Sequence, residues 1–154
     1  MLSQKEQIGL ECKGFWCEKL LTGEKDIELR QYPLPPEFLD RTIWLLASGG
    51  EDGVPSLGDS VEAGSPAASV VGWVRFSGNK EYHCPEDWEA DQDRHCVPKG
   101  SPYGWQQGET AVIYGWVVQE AERLPSPASM PAASRIKRSL FKLHTPPMQM
   151  ETSS

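Results

Sequence analysis

The stretch that begins at Trp16 constrains the fold more than any other part of the chain. Trp16 and Leu20 are four residues apart, a spacing that predicts a short helix with one apolar face. Gly23 follows, and glycine readily adopts the left-handed conformation that ends a helix. Glu28 and Arg30 then alternate with aliphatic residues, as in a strand with one charged face. The sequence therefore predicts a helix, a sharp end, and a strand whose charges border a water-filled groove.

The composition is that of one folded domain. The chain has 154 residues, of which 38% are hydrophobic, and six tryptophans can fill a modest core. The sequence lacks a long uncharged apolar run, which excludes a transmembrane helix, and it begins without the apolar stretch of a signal peptide. We therefore expect an intracellular protein, cytoplasmic or nuclear, with no membrane partner. The cysteines of such a protein are expected to be thiols: Cys12, Cys17, Cys84 and Cys96.

The net charge of −7 is concentrated in two segments. Residues 49–63 contain four acidic residues and no basic one, and residues 81–95 contain six acidic residues against one arginine. These segments carry −4 and −5, which leaves +2 for the rest of the chain. We interpret them as parts of two acidic loops, 48–67 and 77–108, which would offer a surface to a protein partner if the chain is a protein-interaction module. The mildly basic remainder, with a basic run over 135–142, is compatible with an anionic ligand.

Short apolar runs along the chain predict a sheet. Gly72, inside one of them, indicates a bulge or a barrel bend. Residues 85–93 are a possible second helix. Together these features predict an α+β fold that is mainly β, a small and strongly bent barrel that carries a helix. The expected strands are 8–12, 27–30, 41–47, 69–76, 110–118 and 136–143.

The junction between helix and strand also carries a family hallmark. Gly23, Lys25, Glu28 and Arg30 match the pattern Gly-x-Lys-x-x-Glu-x-Arg, with Trp16 one helix earlier. On these residues the chain resembles the activating-signal-cointegrator homology (ASCH) domains, whose fold is similar to that of the PUA domain. Further landmarks follow in the family's order, and the resemblance implies a PUA-like β-barrel with one or two short helices. The landmarks are 42–49, 70–72 and 114–125, within a domain over 8–143 that is followed by a disordered tail, 144–154.

The resemblance implies a cleft between helix and barrel that binds RNA, DNA or a nucleotide-like ligand. Arg30 would bind a phosphate or carboxylate through two hydrogen bonds, and Glu28 would hold the Arg30 side chain in place. Lys25 would add a point charge. A base would stack on Tyr103 or Trp105. Other interpretations are a solvated strand face with weak ion pairs, and tryptophans that only pack. The predicted ligand-binding residues are Lys25, Glu28, Arg30, Trp16, Arg75, Tyr103 and Trp105.

Some small bacterial ASCH proteins are amidohydrolases that deacylate modified cytidine with a lysine, a threonine and a glutamate. Lys25 matches the lysine, but Glu28 stands where those enzymes carry threonine, and Arg75 stands where an acidic residue would be more useful. Glu28 would also keep the Lys25 ammonium charged and reduce its nucleophilicity. The sequence therefore favours a binding protein. The alternatives are an amidohydrolase acting on an acylated nucleoside such as N4-acetylcytidine, and a protein-interaction module.

Two His-Cys pairs raise the question of a metal site. Zinc accepts both residue types, but adjacent residues seldom ligate one ion, and neither a Cys-x-x-Cys nor a His-x-x-x-His spacing is present. We therefore predict a loop with two thiols, no metal and no cofactor. The pairs are His83-Cys84 and His95-Cys96.

Overall fold

A computed structural model of the chain describes residues 6–49, 56–106 and 112–147. Strands are the main secondary structure of these residues. They are β1 (Gln7–Lys13), β2 (Ile27–Arg30), β3 (Ile43–Ser48), β4 (Ser60–Val61), β5 (Ala68–Tyr82), β6 (Ile113–Ser129), β7 (Ala133–Lys137) and β8 (Leu140–Leu143). The helices are α1 (Gly14–Thr22), α2 (Pro85–Ala90) and α3 (Gln92–His95), with a short 3-10 turn at Pro36–Phe38. The predicted mainly β, α+β fold is confirmed, and the second predicted helix is divided at Asp91 into α2 and α3.

One mixed sheet holds these strands in the order β2-β6-β5-β3-β1-β8-β7-β4. The β1–β3 pair is parallel, and the other pairs of the described residues are antiparallel. The sheet curves back on itself. A hydrogen bond shows this: Arg30, at the end of β2, donates to the Glu11 carbonyl on β1 at 3.3 Å. Three strands separate β2 from β1 in the sheet. This curvature brings the charges of β2 next to β1 and β8.

The predicted junction between α1 and β2 is present. Gly23 ends α1 with a φ of 82°, the left-handed conformation that favours glycine. The Lys25 amide then donates to the Lys19 carbonyl at 3.0 Å, and the Asp26 amide donates to the Arg94 carbonyl at 2.9 Å. The junction is therefore held between α1 and α3, which fixes the position of Lys25.

The predicted bulge at Gly72 is also present. The register between β5 and β6 shifts between Val70 and Gly72. A Cβ atom on Gly72 would lie 2.4 Å from the Glu122 carbonyl oxygen and 2.6 Å from Leu21 Cδ2. Glycine is required at this position because β6 and α1 both approach its backbone too closely for a side chain.

Strands β5 and β6 are longer than predicted. β5 extends to Tyr82 and is followed by α2 and α3, so residues 77–108 are not a loop throughout. β6 extends to Ser129, well beyond the predicted end at residue 118 and past Pro125 and Pro127. The register shift leaves residues 124–127 without partners on β5, so the missing N–H groups of these prolines break no ladder hydrogen bond. Proline in the sequence therefore marked an irregularity within β6 and not its end.

The strand predicted over 136–143 is a hairpin instead. β7 and β8 pair antiparallel and are joined by a turn in which Arg138 has a φ of 56°. Asn and Asp are enriched at such positive φ values, so an arginine there gave no turn signal in the sequence. The hairpin places Arg135, Arg138 and Ser139 beside the end of β2.

The acidic segments are partly neutralised by ion pairs. Lys80 pairs with Asp91, and Lys99 Nζ lies 2.9 Å from Glu89 Oε1. In the segment predicted as the loop 48–67, β4 is present, Asp59 pairs with arginine on β7 at 2.8 Å, and residues 50–55 lie outside the described residues. A partner surface on these segments stays a prediction.

The helices are all short, and within the described ranges none combines the length and the apolar character that crossing a bilayer demands. Most of the predicted tail, from residue 148 onward, lies outside the described residues. His144, its predicted first residue, is held to the fold, because its amide donates to the Ala132 carbonyl at 2.8 Å and its ring contacts Ser134.

Candidate functional site

A pocket of about 430 Å³ lies between β2, the β1–α1 junction, the loop after α3 and the β7–β8 hairpin. Five of the predicted ligand-binding residues line it: Trp16, Lys25, Glu28, Arg30 and Tyr103. The volume lies in the range of pockets that hold small ligands. The structure therefore brings the hallmark residues together on one concave surface.

Lys25, Glu28 and Arg30 form a connected triad in that pocket. Lys25 Nζ lies 3.5 Å from Glu28 Oε1, and Arg30 Nη2 donates to Glu28 Oε2 at 2.6 Å. One carboxylate thus bridges two cations, which converge on the same pocket. Lys25 is 1% exposed and Glu28 is 4% exposed, so the expectation of a solvated groove edge is wrong for these two residues. The curved sheet and helix α3 cover a strand face that would otherwise meet water.

Burial and pairing have opposite effects on these groups. Burial alone would raise the pKa of the Glu28 carboxyl, but Arg30 and Lys25 outweigh it and hold that pKa below its ordinary value. Burial lowers the pKa of the Lys25 ammonium, and Glu28 only partly opposes this shift. For Arg30, burial is outweighed by Glu28, so its pKa is raised and it stays charged. The triad therefore carries one excess positive charge when Lys25 is protonated.

Lys25 is enclosed by α1 and α3. Its ammonium donates to the carbonyl of His95 and lies 4.8 Å from the ring centre of Trp16. His95 is itself buried and stacks on Trp88, with ring centres 4.8 Å apart. The Val97 amide donates to His95 Nδ1 at 3.0 Å, which assigns the proton to Nε2 and its donation to the Trp88 carbonyl. Burial lowers the pKa of this ring, so a neutral His95 acts as a packing group beneath Lys25.

Arg30 connects the triad to the β7–β8 hairpin. Its Nη1 donates to Ser139 Oγ at 2.8 Å, and that oxygen lies 2.7 Å from the Tyr32 hydroxyl. The guanidinium also lies 5.8 Å from the ring centre of Trp116, whose indole N–H donates to the Tyr32 carbonyl at 3.0 Å. Arg30 is therefore positioned by groups from three separate parts of the chain.

Cys12 contributes a thiol to the same wall. Its Sγ lies 3.8 Å from Glu28 Oε2. A hydrogen bond with Cys17, burial and the nearby Glu28 charge all raise the pKa of Cys12 well above its ordinary value. A thiol in this state is a poor nucleophile. Cys12 and Cys17 are free and buried, and in this structure they serve as packing groups.

Several lining residues were not predicted as site residues. Arg135 and Arg138 come from the β7–β8 hairpin, and Tyr32 and Ser139 complete the Arg30 network. Arg138 lies 5.3 Å from the ring centre of Tyr32, is exposed, and pairs with no carboxylate among the described residues. The basic run over 135–142 was the available sequence signal, but nothing local in it indicates that it lies opposite β2.

Two predicted site residues lie elsewhere. Arg75 points to the outer side of β5, where it pairs with Glu120 at 3.0 Å and donates to Thr42 Oγ1. Trp105 packs against the larger core cluster and does not line the pocket. Tyr103, from the same loop, does line it and meets Trp16 edge-on at 5.7 Å. A ligand-binding role of Tyr103 stays a prediction, whereas Arg75 and Trp105 do not line this pocket.

The His-Cys pairs are not brought together. His83 pairs with Glu81 at the surface, whereas His95 is buried beside Trp88. Within the described part of the chain, no three His, Cys, Asp or Glu side chains are grouped so as to hold a metal ion.

The sequence matches no protein-family model and no curated protein. Three crystal structures of an ASCH protein from Zymomonas mobilis match the fold, each at 15% sequence identity. A serine-to-alanine variant has a TM-score of 0.57, over 82% of this chain and 75% of that one. The structure of ASCH itself has a TM-score of 0.55, over 79% of this chain and 71% of that one, and a tyrosine-to-phenylalanine variant has 0.56, over 80% and 75%.

The chain has the ASCH fold. The resemblance read from the hallmark residues is thus confirmed at the level of the fold. Within this ASCH fold, the hallmark lies at the junction of α1 and β2, and its three charged residues form the triad of the pocket.

Proposed function

We propose that the chain binds RNA, or a nucleotide-like ligand, in the triad pocket. The observation that carries the proposal is the charge of the pocket wall. Five basic residues and two acidic residues line it, a formal excess of three positive charges that falls to two because Arg135 pairs with Asp59 outside the pocket, on a chain whose net charge is −7. A concave basic surface on an acidic protein attracts an anionic ligand and holds it away from the acidic segments. The basic lining residues are Lys13, Lys25, Arg30, Arg135 and Arg138.

The other lining residues suit one nucleotide unit. Trp16, Tyr32 and Tyr103 supply aromatic surface, and stacking of a base on such a ring contributes about 1–3 kcal/mol. Lys25 and Glu28 are buried lining residues and Arg138 is an exposed one, so the pocket would hold a single unit inside while Arg138 contacts the strand outside. The ligand would be a single-stranded segment or its end, because a duplex does not enter a pocket of this size.

Replacing Lys25 by methionine is expected to weaken RNA binding by about tenfold, the loss of one charge-assisted hydrogen bond. Methionine fills a similar volume without the charge, and Glu28 keeps Arg30 as its partner. The measurement is fluorescence polarisation with labelled single-stranded RNA and DNA octamers across a range of salt concentrations. Each phosphate contact should contribute about −0.7 to the slope of log affinity against log salt.

The matched control is Arg75→Met, which removes one positive charge from outside the pocket. It should change the affinity for the octamers by less than about twofold, since distant surface charges are screened by salt. Melting temperatures of both variants establish that they are folded. Equal affinities of wild type and Lys25→Met, both folded, would contradict the proposed function.

An amidohydrolase is the second candidate function, and the lowered pKa of the buried Lys25 favours it. A neutral lysine amine can accept a proton from an attacking water or hydroxyl. Against this, Lys25 Nζ contacts a carbonyl and a carboxylate, and no hydroxyl contact of this atom occurs among the described residues. We therefore expect no release of cytidine from N4-acetylcytidine, as measured by chromatography. Release that Lys25→Met abolishes would favour the enzyme instead.

A further inference from the structure

Two buried hydrogen-bond donors in the pocket wall have no partner. Four buried side-chain nitrogen or oxygen atoms of the described residues lack a hydrogen bond, and two belong to residues that line the pocket: Trp16 Nε1 and Arg30 Nε. Both are N–H donors, and neither group can accept a hydrogen bond. Trp16 is 7% exposed, so its N–H has little access to bulk water. Such groups are rarely left unpaired in a folded protein, and water, an ion or a ligand usually supplies the partner.

The carboxylates and hydroxyls of the same wall are already engaged. Glu28 accepts from Arg30 on one oxygen and faces Lys25 with the other. Oxygen Oε2 of Glu11 accepts from Ser48 Oγ at 2.9 Å and from the Ser56 amide at 2.8 Å. The hydroxyls of Tyr32 and Ser139 bind each other. A ligand therefore meets more positive than negative charge, together with two N–H donors that have no partner.

We infer, on the basis of the proposed function, that the group held inside the pocket is the terminal phosphate of an RNA strand or nucleotide. A phosphate monoester presents only acceptor oxygens and carries a charge of about −1.5 to −2 near pH 7. It would neutralise the excess charge of the triad and would pair both free N–H donors once the pocket wall opens enough to expose them. A nucleobase is a poorer match, because its carbonyl groups come with N–H donors of their own and it carries no charge.

The shape of the pocket favours a strand end over an internal phosphodiester. Lys25 and Glu28 line it and are almost fully buried, so we expect the strand to end beside them and not to continue past them. An internal phosphate has a nucleotide on each side, whereas a terminal phosphate has one. The strand would leave past Arg138 at the exposed edge of the pocket.

The experiment compares RNA octamers of one sequence that carry a 5′-phosphate, a 3′-phosphate or hydroxyls at both ends. One of the two phosphorylated octamers should bind at least about tenfold more tightly than the hydroxyl-ended octamer, as expected for new charge-assisted hydrogen bonds. A hydroxyl-ended nonamer, which has one more internal phosphate, controls for total charge. Equal affinity of all four RNAs would overturn the inference, and so would inorganic phosphate binding as tightly as the phosphorylated octamer.

Two tryptophan variants test the donor directly. Trp16→Phe removes the indole N–H and keeps a ring over Lys25, and it should lower the preference for the phosphorylated end by about tenfold. Trp88→Phe removes the other unpaired indole N–H, which lies outside the pocket, and should keep the preference. An unchanged preference in folded Trp16→Phe overturns the inference.

The outcomes separate the inference from the proposed function. If the octamers bind equally whatever their ends, and Lys25→Met weakens them all, the proposed function stands and the terminal-phosphate inference fails. If no octamer binds to the wild-type protein, both fail.

Discussion

Replacement of Glu28 by alanine is expected to lower the free energy of unfolding by about 3–5 kcal/mol, the cost of leaving a buried charge without its partner. Glu28 is the carboxylate that faces both Lys25 and Arg30. Lys25 can release its proton in response, but the Arg30 guanidinium cannot, so the cost falls mainly on Arg30. Urea denaturation of the wild type and the variant measures the difference.

The control for this prediction is Glu120→Ala, which removes a carboxylate from a half-exposed surface pair with Arg75. Its effect should stay below about 1 kcal/mol. Because the pKa of Glu28 is lowered in the folded protein, its stabilising contribution is present above the ordinary carboxyl pKa of 4.5 and is lost as the pH falls through the lower folded value. The difference between wild type and Glu28→Ala should therefore shrink in acid. Equal stabilities of the two alanine variants at pH 7 would show that the triad does not depend on Glu28.

Replacement of Trp116 by alanine is expected to lower the free energy of unfolding by a similar amount, about 3–5 kcal/mol. Trp116 is fully buried, packs edge-on against Tyr32 and Phe76, and donates its N–H to the Tyr32 carbonyl. Alanine would leave a cavity behind Arg30 and remove the group that holds Tyr32. The same denaturation experiment measures the loss, and RNA binding by the folded fraction should weaken with it.

Trp116→Phe separates the two contributions of this side chain. It keeps most of the ring volume and loses only the hydrogen bond to Tyr32, so it should cost about 1–2 kcal/mol. Trp44→Ala, at a half-buried position outside the larger core cluster, should cost less than Trp116→Ala. If Trp44→Ala lowered the free energy of unfolding as much as Trp116→Ala does, the full burial of Trp116 would not explain its contribution to stability.

The local elements near the pocket could be predicted because their signals lie within a few residues. The apolar spacing in α1 and the glycine at position 23 predict the helix and its end, and the alternation after it predicts β2. The short apolar runs and Gly72 predicted a strongly bent barrel, and the family resemblance implied the same fold. The lengths of β5 and β6 could not be predicted, since they depend on the register shift at Gly72, which is a property of the paired strands.

The composition of the pocket was predicted only in part. Lys25, Glu28 and Arg30 are close in sequence, and β2 keeps them close in space. Arg138 and Ser139 are more than a hundred residues away in the chain, and only the curvature of the sheet brings them to Arg30. The spacing of residues along the chain does not show which distant segments lie side by side in the fold.

The sequence by itself determined that a helix ends at Gly23 and that three charged residues follow it, because backbone conformation and side-chain alternation are local properties. The tertiary structure decided that those charges are buried around one carboxylate and that the β7–β8 hairpin supplies basic residues to the same pocket. The physical reason is that burial and electrostatic environment depend on which distant segments pack together, and this is fixed only when the sheet closes on itself.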